Sequence, residues 1–184
     1  MMRSETKLRV ASCAAGFSLP RYNDLPSVGL YLDQTVQFVN SCFRTFHGVE
    51  LTSSMVSNYV KKGILPHPIR KKYSRDQIAM LLYIVVSKTV LPMENIDTLF
   101  KMQRAHCSAS AAYNTFCDEL EACIPYVFGC KTEPAALDAA PIHDERQLLR
   151  STIFAATNKM YLDCCFDALQ QEQSLWSDIL PDLA

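Results

Sequence analysis

The residues of this chain best suited to chemistry lie between Leu51 and Arg75. These 25 residues carry six cations (Lys61, Lys62, Arg70, Lys71, Lys72 and Arg75) and no Asp or Glu. The formal net charge of the whole chain is -1, so this segment at +6 stands against a remainder at -7. A concentrated basic face is the electrostatic footprint of a nucleic-acid reader. Ser54, Ser57, Asn58 and Lys61 recur at i, i+3, i+4 and i+7, which places them on one side of a helix, while Met55, Val56, Tyr59 and Val60 fall on the other. Short hydroxyl and amide side chains can reach base edges, and an Asn can pair with adenine through two hydrogen bonds. Arg70, Lys71 and Lys72 follow Pro66 and Pro68 in a loop, where cations would position a duplex through its phosphates. The expected contact set is Ser53, Ser54, Ser57, Asn58, Tyr59, Lys61, Lys62, Arg70, Lys71 and Lys72, and the expected partner is double-stranded DNA. The competing account of the same residues is a solvated polar face with no ligand.

Other chemistries find little footing. Eight cysteines fall at 13, 42, 107, 117, 123, 130, 164 and 165, with no C-x-x-C pair and no paired His at zinc-finger spacing. They are expected to be reduced, mostly buried thiols. The four His, at 47, 67, 106 and 143, are scattered, and His106 beside Cys107 would face a different side of a helix. There is no Gly-rich phosphate loop, no G-x-S-x-G and no H-E-x-x-H. No enzyme, cofactor or metal is expected. The apolar runs are too short to cross a bilayer and the start lacks a secretory apolar stretch, so a cytoplasmic protein is expected.

The elements that must position the basic segment can be read from periodicity and caps. With 49% hydrophobic and 20% charged residues and only five Gly, the composition favours a mainly α globular chain. Residues 1–20 are expected to form a loose arm. A helix is expected from about Ser27 to Phe46, where Leu32, Val36, Val39, Phe43 and Phe46 recur at helical spacing before Gly48. Thr52 caps a helix from Ser53 to Lys62 that Gly63 stops. Ile64 to Tyr73 is a short hairpin or wing at most, because its prolines cannot donate to a ladder. Ser74 with Gln77 forms a capping box for a helix from Arg75 to Lys88 that is apolar almost all round and therefore central. Pro92 starts a short helix through Ile96, Leu99 and Phe100. Further helices are expected from about Ser108 to Ile124 and from Asp144 to Gln171, separated by a linker at Gly129–Pro141 and followed by a turn at Leu175–Leu180. The second of these helices is apolar enough to suggest a dimer contact.

Charge marks two modules. Residues 1–104 hold 14 basic and 7 acidic side chains, and residues 105–184 hold 4 and 12. The expected organisation is an arm (1–20), a DNA-reading domain (21–104) and a helical C-terminal module (105–184) serving dimerisation or effector sensing.

Tyr59-Val60-Lys61-Lys62-Gly63-Ile64-Leu65-Pro66, then Tyr73-Ser74, an apolar helix and Ile96…Leu99, resemble the DNA-binding domain of MerR-type regulators. Leu25-Pro26, Leu30-Tyr31, Asp33-Gln34, Leu51-Thr52, Met55, Asn58 to Lys61 and Lys71 to Ser74 resemble a narrower group, a domain of unknown function found mainly in Firmicutes. The resemblance runs from about Phe17 to Met102. It implies a MerR-like winged helix-turn-helix with 53–62 as recognition helix and 64–73 as wing, in a homodimeric transcriptional regulator. The Arg that many MerR-type proteins carry two residues before the motif Tyr is Ser57 here. Asp33-Gln34 is expected to serve a structural hydrogen bond. A protein-interaction module on the same scaffold, with its acidic rear docking a basic partner, and a ligand sensor using the C-terminal helices are the alternatives. No effector can be identified from sequence.

Overall fold

The structure, a computed structural model, describes residues 3–130 and 144–179, with side chains described through 172. It is mainly helical. In chain order the elements are α1 (Ser4–Ala14), β1 (Leu30–Tyr31), α2 (Leu32–Cys42), α3 (Ser53–Lys61), β2 (Lys72–Tyr73), α4 (Arg75–Ser87), α5 (Met93–His106), α6 (Ala109–Val127) and α7 (Asp144–Ile179). The expected linker lies outside the described residues from position 131, and the helix expected to stop at Gln171 runs on to Ile179, so the turn expected at Leu175–Leu180 is helical as far as it is described.

Helix α4 is the hub. Ser74 Oγ accepts the Gln77 backbone N–H and Gln77 Oε1 accepts the Ser74 N–H at 2.8 Å, the expected reciprocal cap. Every residue from Leu81 to Ser87 is buried, and α2, α6 and α7 pack around the helix. Fully burying each Leu or Ile side chain here contributes roughly 1.5–3 kcal/mol before entropy is counted. The core is continuous across position 104, joining Val56, Leu65 and Ile78 to Phe116, Leu120 and Met160.

Three expectations are corrected. The segment 1–20 is not a loose arm over its first half, because α1 lies on α7. Thr6 Oγ1 donates to Glu172 at 2.8 Å, and Arg9 donates to Gln171 at 3.0 Å. The helix expected from Ser27 to Phe46 spans only Leu32–Cys42. Its start is set by the Gln34 side chain, which accepts the Tyr31 N–H at 3.1 Å, and Phe46 is buried from the turn beyond its end. Met55, assigned to the buried stripe of α3, is 36% exposed, and Lys88 Nζ approaches its sulfur at 3.2 Å.

Strands β1 and β2 pair antiparallel, with Leu30 opposite Tyr73 and Tyr31 opposite Lys72. Gly29 lets them close, since a Cβ there would lie 3.0 Å from Lys72 Cβ and 3.2 Å from the Tyr73 carbonyl oxygen. Beyond β2, Ile69 and Lys72 exchange both backbone hydrogen bonds, at 3.1 and 3.0 Å, across a two-residue turn. Both turn residues have positive φ, 51° at Arg70 and 64° at Lys71. That is the signature of a type I′ turn, which normally selects Asn and Gly.

A candidate nucleic-acid interface

Helix α3 begins where the Thr52 hydroxyl accepts the Met55 N–H at 3.2 Å, and ends at Gly63 with φ 74°. Val56 and Tyr59 are buried. Tyr59, expected among the DNA contacts, is 4% exposed and packs in the core instead, because it lies on the buried side of α3 with Val56. Leu65 and Ile64 donate their backbone N–H groups to the Tyr59 carbonyl, folding the loop back under the helix. Ser53 is half-buried and donates to Asp33 Oδ1 at 3.2 Å, the structural role expected of Asp33. Ser57 Oγ donates to the Ser53 carbonyl at 2.9 Å, which leaves an oxygen lone pair facing outward.

Ser54, Asn58, Lys61 and Lys62 are exposed, as are Arg70 and Lys71. None of these six side chains bonds another side chain or backbone group among the described residues. Lys72 differs from its neighbours. It is half-buried, and its ammonium sits 5.1 Å from the centroid of the Tyr31 ring, its cross-strand partner. Its charge is therefore partly committed to the β1–β2 pair. The sequence also missed Ile69, 77% exposed beside the turn residues. Alternation of apolar residues could not signal it, because the turn reverses the chain there.

Of the other cations of the basic half, Arg3, Arg21 and Lys101 pair with acids, and Arg75 is engaged without one. Arg21 bridges Asp118 at 3.0 Å and Glu121 at 2.8 Å, and Arg3 meets Glu172 at 2.9 Å. Arg75 donates to the Leu25 carbonyl and stacks over Tyr22 at 5.5 Å. Lys101 pairs with Asp97 at 2.6 Å. Lys61, Lys62, Arg70 and Lys71 thus sit together on α3 and the hairpin, both of which pack against α2, while Lys7, Arg44 and Arg104, on other elements, also have no acid partner among the described residues.

All eight cysteines are free thiols. Burial pushes the Cys117 thiol up to about 11 and the Cys164 thiol, with Cys13 beside it, to about 12. Both stay protonated and inert at neutral pH. Among the described residues no group of His, Cys, Asp and Glu could hold a metal ion, and no helix is long and apolar enough to cross a membrane.

No curated protein and no solved structure matches the chain. The pattern of one family does, over residues 20–116, a stretch that holds α2, α3, the hairpin, α4, α5 and the start of α6. The chain belongs to the family described as Domain of unknown function (DUF1836).

Proposed function

We propose that this protein binds double-stranded DNA as a MerR-like winged helix-turn-helix regulator of transcription, without enzymatic activity, in the cytoplasm of a bacterial cell. The observation that carries this is the set of four cations, Lys61, Lys62, Arg70 and Lys71, that have no acid partner among the described residues. Helix α3 is the reading element, with Ser54, Ser57 and Asn58 toward base edges. The hairpin cations clamp the phosphate backbone. Lys72 supports the hairpin through Tyr31 and contributes to the field rather than to a phosphate contact.

A homodimer fits the outer face of α7, where Leu148, Phe154, Leu162 and Phe166 are 44%, 51%, 48% and 59% exposed. Covering such a face with a second copy would give a dimer with two α3 helices. The rival reading, a protein-interaction module, is favoured by Asp33 at the foot of α3, whose carboxylate repels phosphate.

The test is selection from a pool of random duplex DNA at several salt concentrations. The proposal expects an enriched two-fold symmetric motif and an affinity that falls steeply with salt. Asn58→Ala should then relax preference at one base pair by about 1–3 kcal/mol. No retention at low salt would overturn the DNA reading in favour of the interaction module.

A further inference from the structure

A cavity of about 310 Å³ opens between α4, α5 and α6, within the size range of small-molecule sites. Its wall is aromatic. Tyr83 lies 5.3 Å from both Phe100 and Phe116, ring centroid to centroid, and Tyr113 lies 6.2 Å from Phe116. Tyr83 meets Phe116 edge to face and the other two contacts are tilted, so the rings hold one another and the wall is preformed. Tyr113 uses its hydroxyl elsewhere, donating to the Pro20 carbonyl at 2.9 Å. The Tyr83 hydroxyl is buried and has no hydrogen-bond partner among the described residues.

The mouth carries two charges in unequal states. Asp76 accepts a hydrogen bond from the Tyr22 hydroxyl, with Arg75 stacked on the same ring. Arg104 pairs with no acid among the described residues; its guanidinium reaches only the sulfur of Met80, at 3.9 Å, and Met80 itself lines the cavity. Asp76 keeps its charge but is engaged by the Tyr22 hydroxyl, so Arg104 is the charged group at the mouth without a hydrogen-bonding oxygen or nitrogen partner among the described residues. An apolar aromatic chamber under a free guanidinium suits a flat apolar body carrying a carboxylate, which Arg can grip through two parallel hydrogen bonds.

We propose that this cavity binds a small aromatic carboxylate, the body among the Tyr83, Phe100 and Phe116 rings and the carboxylate on Arg104. The site also touches the hairpin's root. Pro66 lines it, and the Pro66 carbonyl accepts Gln77 Nε2 at 2.7 Å, so an occupant bears directly on the loop that leads to Arg70 and Lys71. The proposal stands apart from DNA binding and is tested without DNA.

The probes are indole-3-acetate, 2-naphthoate and 3-phenylpropionate, with indole-3-acetamide as the uncharged control, on the full chain. Cys107 is an exposed thiol lining the mouth, and Cys130 is an exposed thiol away from it. Alkylation of both is followed by mass spectrometry. At ten times its dissociation constant, an acid probe should slow Cys107 several-fold, leave Cys130 unchanged and raise the melting temperature by roughly 3 °C. Arg104→Gln should weaken the acid at least about tenfold and leave the amide unaltered. Ala112→Phe, which fills the chamber, should abolish protection by every probe, with its circular dichroism checked against the parent. A melting shift without Cys107 protection would place the ligand elsewhere and overturn the proposal. So would equal binding of acid and amide, or no effect of any probe.

Discussion

The hairpin tip sets backbone strain against charge, and a double substitution there separates the two. Arg70 and Lys71 hold φ of 51° and 64° in a turn closed by two Ile69–Lys72 hydrogen bonds. A residue with a Cβ in the left-handed region costs about 1 kcal/mol or more, and Asn and Gly relieve most of it. Part of the gain at Gly is lost to the greater freedom of the unfolded chain, about 0.4–1 kcal/mol. Arg70→Asn with Lys71→Gly should therefore stabilise the protein by about 1 kcal/mol, near 3 °C in melting temperature for a chain of this size.

The same change removes two unpaired cations. Each phosphate contact contributes about 0.9 to the slope of log K against log salt, so losing two should reduce that slope by about 1.8. Near 0.1 M salt this is roughly a 60-fold loss of affinity. The assay is thermal unfolding beside duplex titration at four salt concentrations, using the sequence recovered by selection. Lys71→Arg, which keeps the charge, should leave both readouts close to the parent. A lower melting temperature would refute the strain argument. An unchanged salt slope would show that the tip touches no phosphate, and the basic hairpin would lose its assigned role.

Three further outcomes follow from particular contacts. Glu119 is 5% exposed in its side chain and holds Arg146 at 3.1 Å and Arg150 at 2.9 Å, so Glu119→Ala should destabilise by about 3–5 kcal/mol, read in denaturant unfolding. Gly29→Ala would drive a Cβ to 3.0 Å from Lys72 Cβ, so it should loosen the β1–β2 pair at a cost of about 1–3 kcal/mol and speed exchange of the backbone amides there. The Cys117 thiol, raised from 9.0 to about 11, keeps its proton in the folded state while the unfolded chain ionises. Its contribution is fully present below pH 9 and is lost as pH rises through about 11, at about 1.4 kcal/mol per unit. Stability should fall above pH 9, and Cys117→Ala should flatten that fall by about one such slope, measured by unfolding at pH 8 to 11.

Local signals in the sequence were legible where the chain itself supplies the determinant. Thr52, Gly63 and the Ser74–Gln77 pair each act within three or four residues, so α3 and α4 fall where their caps put them. Helix α1 was not legible, because its buried residues are only Thr6, Val10 and Ala14, and its anchors, Gln171 and Glu172, lie more than 160 positions away. The over-long α2 has the converse cause. Phe43 and Phe46 keep helical spacing although their burial comes from a turn in which Phe17 lies 5.3 Å from the Phe46 ring. At the candidate site the charges were readable and the backbone was not. Nothing in Ile-Arg-Lys-Lys announces a turn of positive φ, since neither Gly nor Asn is present.

The charge asymmetry of the two halves has a different meaning in the folded chain from the one its sequence suggests. A basic front and an acidic rear could serve two external partners. Part of the asymmetry is instead met internally, where Arg3 and Arg21 meet Glu172, Asp118 and Glu121, and the His47 ring lies 3.2 Å from Asp167. These pairs tie the front of the chain to α6 and α7. Exposed ion pairs of this kind contribute little stability one by one, and their larger effect here is to cancel field. Lys61, Lys62, Arg70 and Lys71 are among the cations without an acid partner among the described residues, and two of them sit in a turn whose backbone would be easier with other residues. An Asn-Gly pair would relax that turn and remove both charges. On the proposed DNA reading, the strained turn is what sets two cations at the hairpin tip.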